Sequence, residues 1–274
     1  MLDGHELRIF ERPRVEPYRE FLKTEHVEWL SGDLLSMHDV SDAVNQTDFV
    51  IHLVSSTLPK GSNDDPIYDV QSNLVASLQM LNAMVAGNIK KIIFISSGGT
   101  VYGTPIYLPI DERHPTEPQV SYGITKLAIE KYLLLFERVH GIKATILRVA
   151  NPFGERQRIE TAQGAVSAFL QRALNGQPIE IWGDGTTIRD YIYISDVADA
   201  FAQAVTYDGS KSIFNVSSGV GTSLNDLIAL LEEALGHPIE RHYLPGRPFD
   251  IPVSILSNEL ARREMGWIPK VGLR

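Results

Sequence analysis

Three apolar runs constrain this chain more than any other feature. Asp48–Val54 (DFVIHLV), Lys90–Ser97 (KKIIFISS) and Lys143–Val149 (KATILRV) are almost continuously hydrophobic, as strands buried on both faces must be. Helical patterns separate them. Asp65-Pro66 offers an N-cap followed by a proline at the first helical position, and the helix it opens runs to about Ala86 and stops at Gly87-Asn88. A second long helix follows Val120 and ends at Gly141. Shorter strands at Leu7–Phe10 and Val27–Leu30 precede them, with a helical stretch from about Pro17 and a helix from Ser36, where Asp39 completes a capping-box-like pair. Strands alternating with crossover helices predict an α/β fold with a doubly wound parallel sheet.

Beyond Asn151 the pattern shortens. A helix is expected over about Gln163–Leu174, then a strand at Ile179–Trp182 and another over Thr187–Ile194, with Asp184-Gly185 between them reading as a hairpin turn. A helix near Asp196–Val205, a strand at Ile213–Val216, a helix from Ser223, a strand near Ile239 and a helix near Leu256–Met265 complete the chain. We expect a dinucleotide-binding unit over 1–155 plus about 187–219, and a smaller α/β substrate-binding lobe over about 156–186 plus 220–274.

Composition narrows the classes. With 274 residues and 43% apolar content the chain can bury a sizeable core. A net charge of −9 argues against a nucleic-acid scaffold. No apolar run approaches the roughly 20 residues of a membrane span. No signal peptide opens the sequence and it has no cysteine, which suits a reducing cytoplasm. No histidine or carboxylate cluster has metal-ligand spacing, so no metal is expected.

In doubly wound sheets ligands sit at the carboxyl ends of the strands. The polar clusters fall there: Glu11, Asp33, Ser55-Ser56-Thr57, Ser96 to Thr100, and Asn151. Tyr122 and Lys126 lie four residues apart in a helical pattern, on one face at about 6 Å. An ammonium that close favours phenolate and lowers the tyrosine from its usual value of about 10, which makes Tyr122 a candidate general base. Tyr207 and Lys211 repeat the spacing but straddle Asp208-Gly209-Ser210, a turn, and lack the shared face.

Ser96-Ser97, Val101-Tyr102-Gly103 and Ser121-Tyr122-Gly123-Ile124-Thr125-Lys126, taken together, resemble the extended short-chain dehydrogenase/reductases, in particular the NAD-dependent nucleotide-sugar epimerases and dehydratases such as UDP-glucose 4-epimerase. The resemblance extends through Gly32-Asp33-Leu34, His52-Leu53-Val54, Asn73, Arg148 to Gly154, Trp182 to Gly185 with Arg189-Asp190-Tyr191, and Pro245 to Asp250. It implies a Rossmann-type fold with NAD as cofactor, held by Glu11, Asp33, Leu34, Leu53, Val54, Ser55, Asn73, Ser96, Tyr122 and Lys126. It implies a UDP-sugar bound by Thr57, Thr100, Asn151, Arg189, Arg247 and Asp250, and a homodimer formed through the Tyr122 helix and the long helix before it. Tyr122 and Lys126 are the implied catalytic pair.

Two departures qualify the match. No GxGxxG-type loop occurs in the sequence, and Leu2–His5 reads as the end of a helix. We therefore expect the first strand, its glycine loop and its helix to be missing, by truncation or by true loss with the chemistry. Gly98 stands where the family usually has a catalytic Ser or Thr; Thr100 is the first candidate to replace it and Ser97 the next.

Gly99-Thr100 also lacks the carboxylates that the resembling 4,6-dehydratases and decarboxylases carry there, which favours epimerisation at carbon 4 or reduction of a 4-keto sugar. Glu11 would repel a 2′-phosphate and accept a 2′-hydroxyl, favouring NAD. A non-catalytic nucleotide-binding homologue is the remaining alternative.

Overall fold

The computed structural model describes residues 4–59, 61–157, 164–246 and 251–274. Its centre is a parallel sheet of four strands in the order β3 (Val50–His52), β4 (Lys91–Ser97), β5 (Lys143–Val149), β9 (Ile213–Val216). A parallel pair, β1 (Leu7–Glu11) and β2 (Val27–Ser31), precedes it.

The continuous apolar runs have a direct cause: alternate side chains enter different cores. Ile92 and Phe94 of β4 pack with Ala144 and Ile146 of β5 beneath α1 (Met37–Val44), α3 (Ala76–Ala86) and α4 (Ser121–His140). Ile93, Leu147 and Val149 face the other way, against α6 (Ile194–Thr206) and α8 (Glu259–Met265). Helices thus cover both faces, the doubly wound arrangement expected.

The remaining elements form smaller sheets. β8 (Ile188–Tyr193) lies between β10 (Gly221–Ser223) and β12 (Val253–Ser254) and also pairs β6 (Asn151–Phe153). β7 (Ile179–Trp182) pairs β11 (Arg241–Leu244) in parallel. α5 (Ala165–Leu174) and α7 (Leu224–Leu235) pack over a third core containing Phe169, Ile179, Ile181, Leu227 and Ile228.

Several local expectations change. Asp184-Gly185 does not close a hairpin, because β7 and β8 join different sheets. Asn225 holds the turn, its Nδ2 donating to the Asp184 carbonyl at 3.0 Å and its N–H to the Gly185 carbonyl at 3.1 Å, so the chain is redirected rather than folded back. No helix follows Pro17; only a 3₁₀ turn at Lys23–Glu25 forms, where the Glu25 carboxylate already accepts from Arg19 and the Leu22 N–H. The helix opened by Asp65 has three parts: α2 (Pro66–Asp69), a π-helical turn Val70–Val75, and α3. α8 begins only at Glu259, since Leu256 makes a strand bridge to Ile110. The expected helix start at Gln163 lies outside the described residues. Tyr207–Lys211 is a turn as read, with the Lys211 N–H donating to Tyr207 Oη at 3.1 Å.

Candidate active site

The catalytic helix candidate, α4, is capped from elsewhere in the chain. Val120, extended at φ −138°, makes no side-chain cap. Asn63 Oδ1 instead accepts the Ser121 N–H at 2.8 Å, and Ser62 Oγ accepts the Tyr122 N–H at 3.0 Å. These bonds satisfy N–H groups that a helix start leaves without intrahelical partners, and they fix the first turn against the segment after β3. Tyr122 and Lys126 follow one turn apart. The Lys126 ammonium lies 5.6 Å from the Tyr122 ring centroid and 4.8 Å from that of Phe94, and donates to the Ile95 carbonyl at 3.1 Å.

Both residues line a cleft of about 530 Å³ at the carboxyl ends of the central strands. Leu53, Ser55 and Thr57 reach it from the end of β3, Ser96, Ser97 and Thr100 from the end of β4. Asn151 and Arg189 close the far side. Gly123 explains how the β4 loop approaches Tyr122: a Cβ there would lie 2.8 Å from the Thr100 carbonyl oxygen. Thr100 Oγ1 is consequently buried within the cleft wall, with no hydrogen-bond partner among the described residues.

Electrostatics differ from the expected sign. Burial pushes the Tyr122 phenol up to about 12, with hydrogen bonding to the Ser55 side chain opposing the rise and the Asp69 carboxylate adding to it. Lys126 does not reverse this, because its ammonium lies over the ring and bonds to a carbonyl. Burial lowers Lys126 itself to about 8, against the attraction of Asp69 and Glu130. Desolvation of a buried site outweighs one neighbouring charge here.

The order of these parts is that of a known family. Residues 2–217 match the model of the "NAD dependent epimerase/dehydratase family". The chain belongs to that family. Over 250 residues, 90% of this chain and 80% of the relative, it is 34% identical to a "Putative UDP-glucose 4-epimerase" of Methanocaldococcus jannaschii. It is also 34% identical to a "dTDP-4-dehydro-6-deoxyglucose reductase" of Escherichia coli, over 95% of this chain and 82% of that one. The crystal structure of the Thermotoga maritima UDP-glucose 4-epimerase with UDP-glucose superimposes with a TM-score of 0.93 at 32% identity, covering 99% of this chain and 88% of that one. The fold is the Rossmann type of this epimerase family, and the chain is an NAD-dependent enzyme of it.

Residues of this family member fit the cofactor. Lys126 is 2% exposed, and its ammonium has three N–H donors but, among the described residues, one hydrogen-bond acceptor, the Ile95 carbonyl. A ligand bearing hydroxyl oxygens in the cleft would complete that set. Glu11 and Asp33 stand at the carboxyl ends of β1 and β2. Glu11 Oε1 accepts the Arg12 N–H at 2.9 Å, and Asp33 Oδ1 accepts the Leu35 N–H at 2.9 Å, leaving each carboxylate further lone pairs. Leu53 and Val54 remain exposed at the end of β3.

Other expected contacts are indirect. The Ser96 hydroxyl donates to the buried Glu130 Oε1 at 2.5 Å, so Ser96 offers the cleft little beyond its backbone. Asn73 is buried and does not line the cleft; its Oδ1 accepts the Ser56 N–H at 2.8 Å and thereby shapes the loop that does. Leu34 packs against the core beneath α1. The Thr57 hydroxyl donates to Asp69 Oδ1, so towards a ligand it can only accept. Arg247 and Asp250 lie outside the described residues.

A second cleft of about 440 Å³ shares Asn151, Pro152 and Arg189 with the first and continues past Trp182 and Tyr191. Arg189 Nη1 donates to the Ile251 carbonyl at 2.6 Å, joining β8 to the segment that precedes β12. Tyr191 Oη, two residues along the same strand face, is buried without a partner among the described residues. Sequence reasoning missed Ser62, Asn63, Asp69 and Gly123. The capping roles arise across some 60 positions of chain, beyond any local pattern. Gly123 sits inside the tyrosine–lysine motif and could have been flagged as a helix-interior glycine with a close neighbour.

Proposed function

We propose that this chain interconverts the carbon-4 epimers of a UDP-sugar of the UDP-glucose/UDP-galactose type. The observation that carries the reading is the convergence of Tyr122, Lys126 and Thr100 on one cleft, beside a loop with no carboxylate at 98–100. Bound NAD supplies reversible hydride acceptance at carbon 4 of the sugar. Tyr122 Oη exchanges the proton of the 4-hydroxyl, and Thr100 Oγ1 hydrogen-bonds the same oxygen, with Ser97 beside it. Lys126, beside the tyrosine, holds the hydroxyls of the bound cofactor through the N–H donors that the Ile95 carbonyl leaves over. Arg189 and Asn151 bridge the two clefts and hold the diphosphate, with charge-assisted bonds from the arginine, and the base lies towards Trp182 and Tyr191. Arg247 and Asp250 complete the nucleotide site in this reading. Anchoring the unreactive part leaves the sugar able to present either face.

A second reading, reduction of a 4-keto sugar, is favoured by the Escherichia coli reductase relative. The chain divides in function as in sequence: 1–155 plus about 187–219 for the cofactor, and about 156–186 plus 220–274 for the substrate, although β8 hydrogen-bonds within the small sheet. A homodimer is supported by the exposed apolar residues Ile124, Tyr132, Leu135 and Val139 on α4 and Ile67 and Tyr68 on α2. The absence of cysteine suits a cytoplasmic enzyme.

Tyr122→Phe tests the assignment, with UDP-glucose and NAD supplied. Epimerisation should fall by orders of magnitude while UDP affinity is retained. Unchanged turnover would sink the assignment, and net reduction of a 4-keto sugar without epimerisation would replace it by the second reading.

A further inference from the structure

Asp69 is fully buried at the end of α2, and no cation forms an ion pair with it among the described residues. Both of its oxygens are engaged. Oδ2 accepts from Ser121 Oγ at 2.7 Å and from Thr125 Oγ1 at 2.8 Å. Oδ1 accepts from Asn73 Nδ2 at 3.0 Å and from Thr57 Oγ1. Ser121 immediately precedes Tyr122, and Thr125 immediately precedes Lys126. One carboxylate oxygen therefore holds the residue before each member of the catalytic pair, while the other holds Thr57 on the facing wall of the cleft.

Burying a carboxylate is costly unless its bonds are made, and a neutral amide or hydroxyl could serve a purely architectural tie. Here the charge has somewhere to act. The titratable groups around the pair are His52 on β3, Asp69 on α2, and Lys126 and Glu130 on α4. His52 is buried and held neutral, its ring nitrogen 2.9 Å from Ser77 Oγ. Glu130 is committed to Arg148, with Nη2 to Oε2 at 2.6 Å and Nε to Oε1 at 3.0 Å. Asp69 is the carboxylate that bears on both Tyr122 and Lys126, favouring the protonated form of each.

We propose that Asp69 is a positioning residue for the reaction: it fixes the turn carrying Tyr122 and Lys126 against the Thr57 loop and holds a negative charge behind the pair. This rests on the assignment of Tyr122 and Lys126 to catalysis. The role extends to every step in which the tyrosine exchanges its proton, because that charge opposes premature ionisation of Tyr122 and keeps Lys126 cationic.

Asp69→Asn in the full chain tests it, since the amide keeps the size and removes the charge. Tyrosinate absorbance of each protein, less that of its Tyr122→Phe counterpart, isolates the titration of Tyr122 without substrate. The midpoint should move to lower pH by about one unit, and kcat should fall by about 10- to 100-fold, with UDP affinity unchanged. A folded variant whose Tyr122 titration does not move overturns the proposal, whatever happens to kcat, because a simple structural tie would lower kcat without shifting that midpoint. Should Asp69→Asn fail to fold, Thr125→Val decides. That near-isosteric change should lower kcat several-fold at unchanged UDP affinity, and an unaltered kcat overturns the role. Turnover surviving Tyr122→Phe would instead defeat the epimerase assignment, a separate outcome from the substrate-free titration.

Discussion

Leu256 occupies the space that a side chain at Gly98 would need. A Cβ built on Gly98 collides with Leu256 Cδ1 and comes within 3.1 Å of the Arg148 carbonyl oxygen. Leu256 is itself fully buried in the core beneath α6 and α8. A side chain at this position is therefore crowded by packing, and Thr100 Oγ1, two residues on, is a loop hydroxyl buried in the cleft wall with no partner among the described residues.

Gly98→Ser should not improve the enzyme. Inserting atoms into a filled core typically costs about 1–3 kcal/mol, so we expect a lower urea midpoint and no gain in turnover. Adding Leu256→Ala should relieve the clash while introducing its own cavity, and the two changes should be non-additive. Urea unfolding of the two single variants and the double variant checks this.

Thr100 should matter through its hydroxyl. Thr100→Val keeps the shape and removes the donor, and turnover should fall roughly 100-fold, in the range seen when one transition-state donor is lost. Thr100→Ser should retain most activity. Steady-state kinetics on UDP-glucose distinguishes the two, and an active Thr100→Val beside an impaired Thr100→Ser would indicate that the methyl rather than the oxygen is required.

Lys126 should make the fold less stable at neutral pH. Its folded value is lowered by burial from 10.5 to about 8, so between those values the unfolded chain binds more protons and stability rises with pH. The cost is fully present below about 8. Lys126→Met should therefore be inactive yet more stable at pH 7, by about 1–3 kcal/mol. The difference from the parent should shrink as pH rises from 8 towards 10. Chemical denaturation of both proteins across that range provides the measurement.

The Glu130–Arg148 pair should behave in the opposite way. Both side chains are buried, at 0% and 2% exposure, and the guanidinium also lies 4.7 Å from the Tyr102 ring centroid. Glu130→Gln leaves an uncompensated buried cation, and loss of one partner from such a pair costs about 3–5 kcal/mol. The thermal midpoint should drop sharply, and Arg148→Met combined with Glu130→Gln should recover part of the loss.

The sequence by itself determined the strands of the central sheet, the long helix that carries Tyr122 and Lys126, and the polar residues at the strand ends. Those features are local or periodic: a run buried on both faces is apolar throughout, and a tyrosine and lysine four apart share a helical face wherever the helix forms. The motif at 121–126 was legible for that reason, and Gly98 could be singled out as a departure.

What only the tertiary structure decided depends on residues far apart in the chain. Periodicity could not show that β7 and β8 belong to different sheets, because an Asp-Gly turn is compatible with folding back or passing on until Asn225 holds it. Nor could it show that burial raises Tyr122 when the nearby lysine suggested the reverse, since desolvation is set by everything packed around a group. The same holds for Asp69, which joins Ser121, Thr125 and Thr57 from separate segments, and for Leu256, which comes from near the end of the chain to fill the space beside Gly98. Spacing along the chain placed Tyr122 and Lys126 on one helix face; packing across it set how far each is desolvated and left the Thr100 hydroxyl buried in the cleft wall.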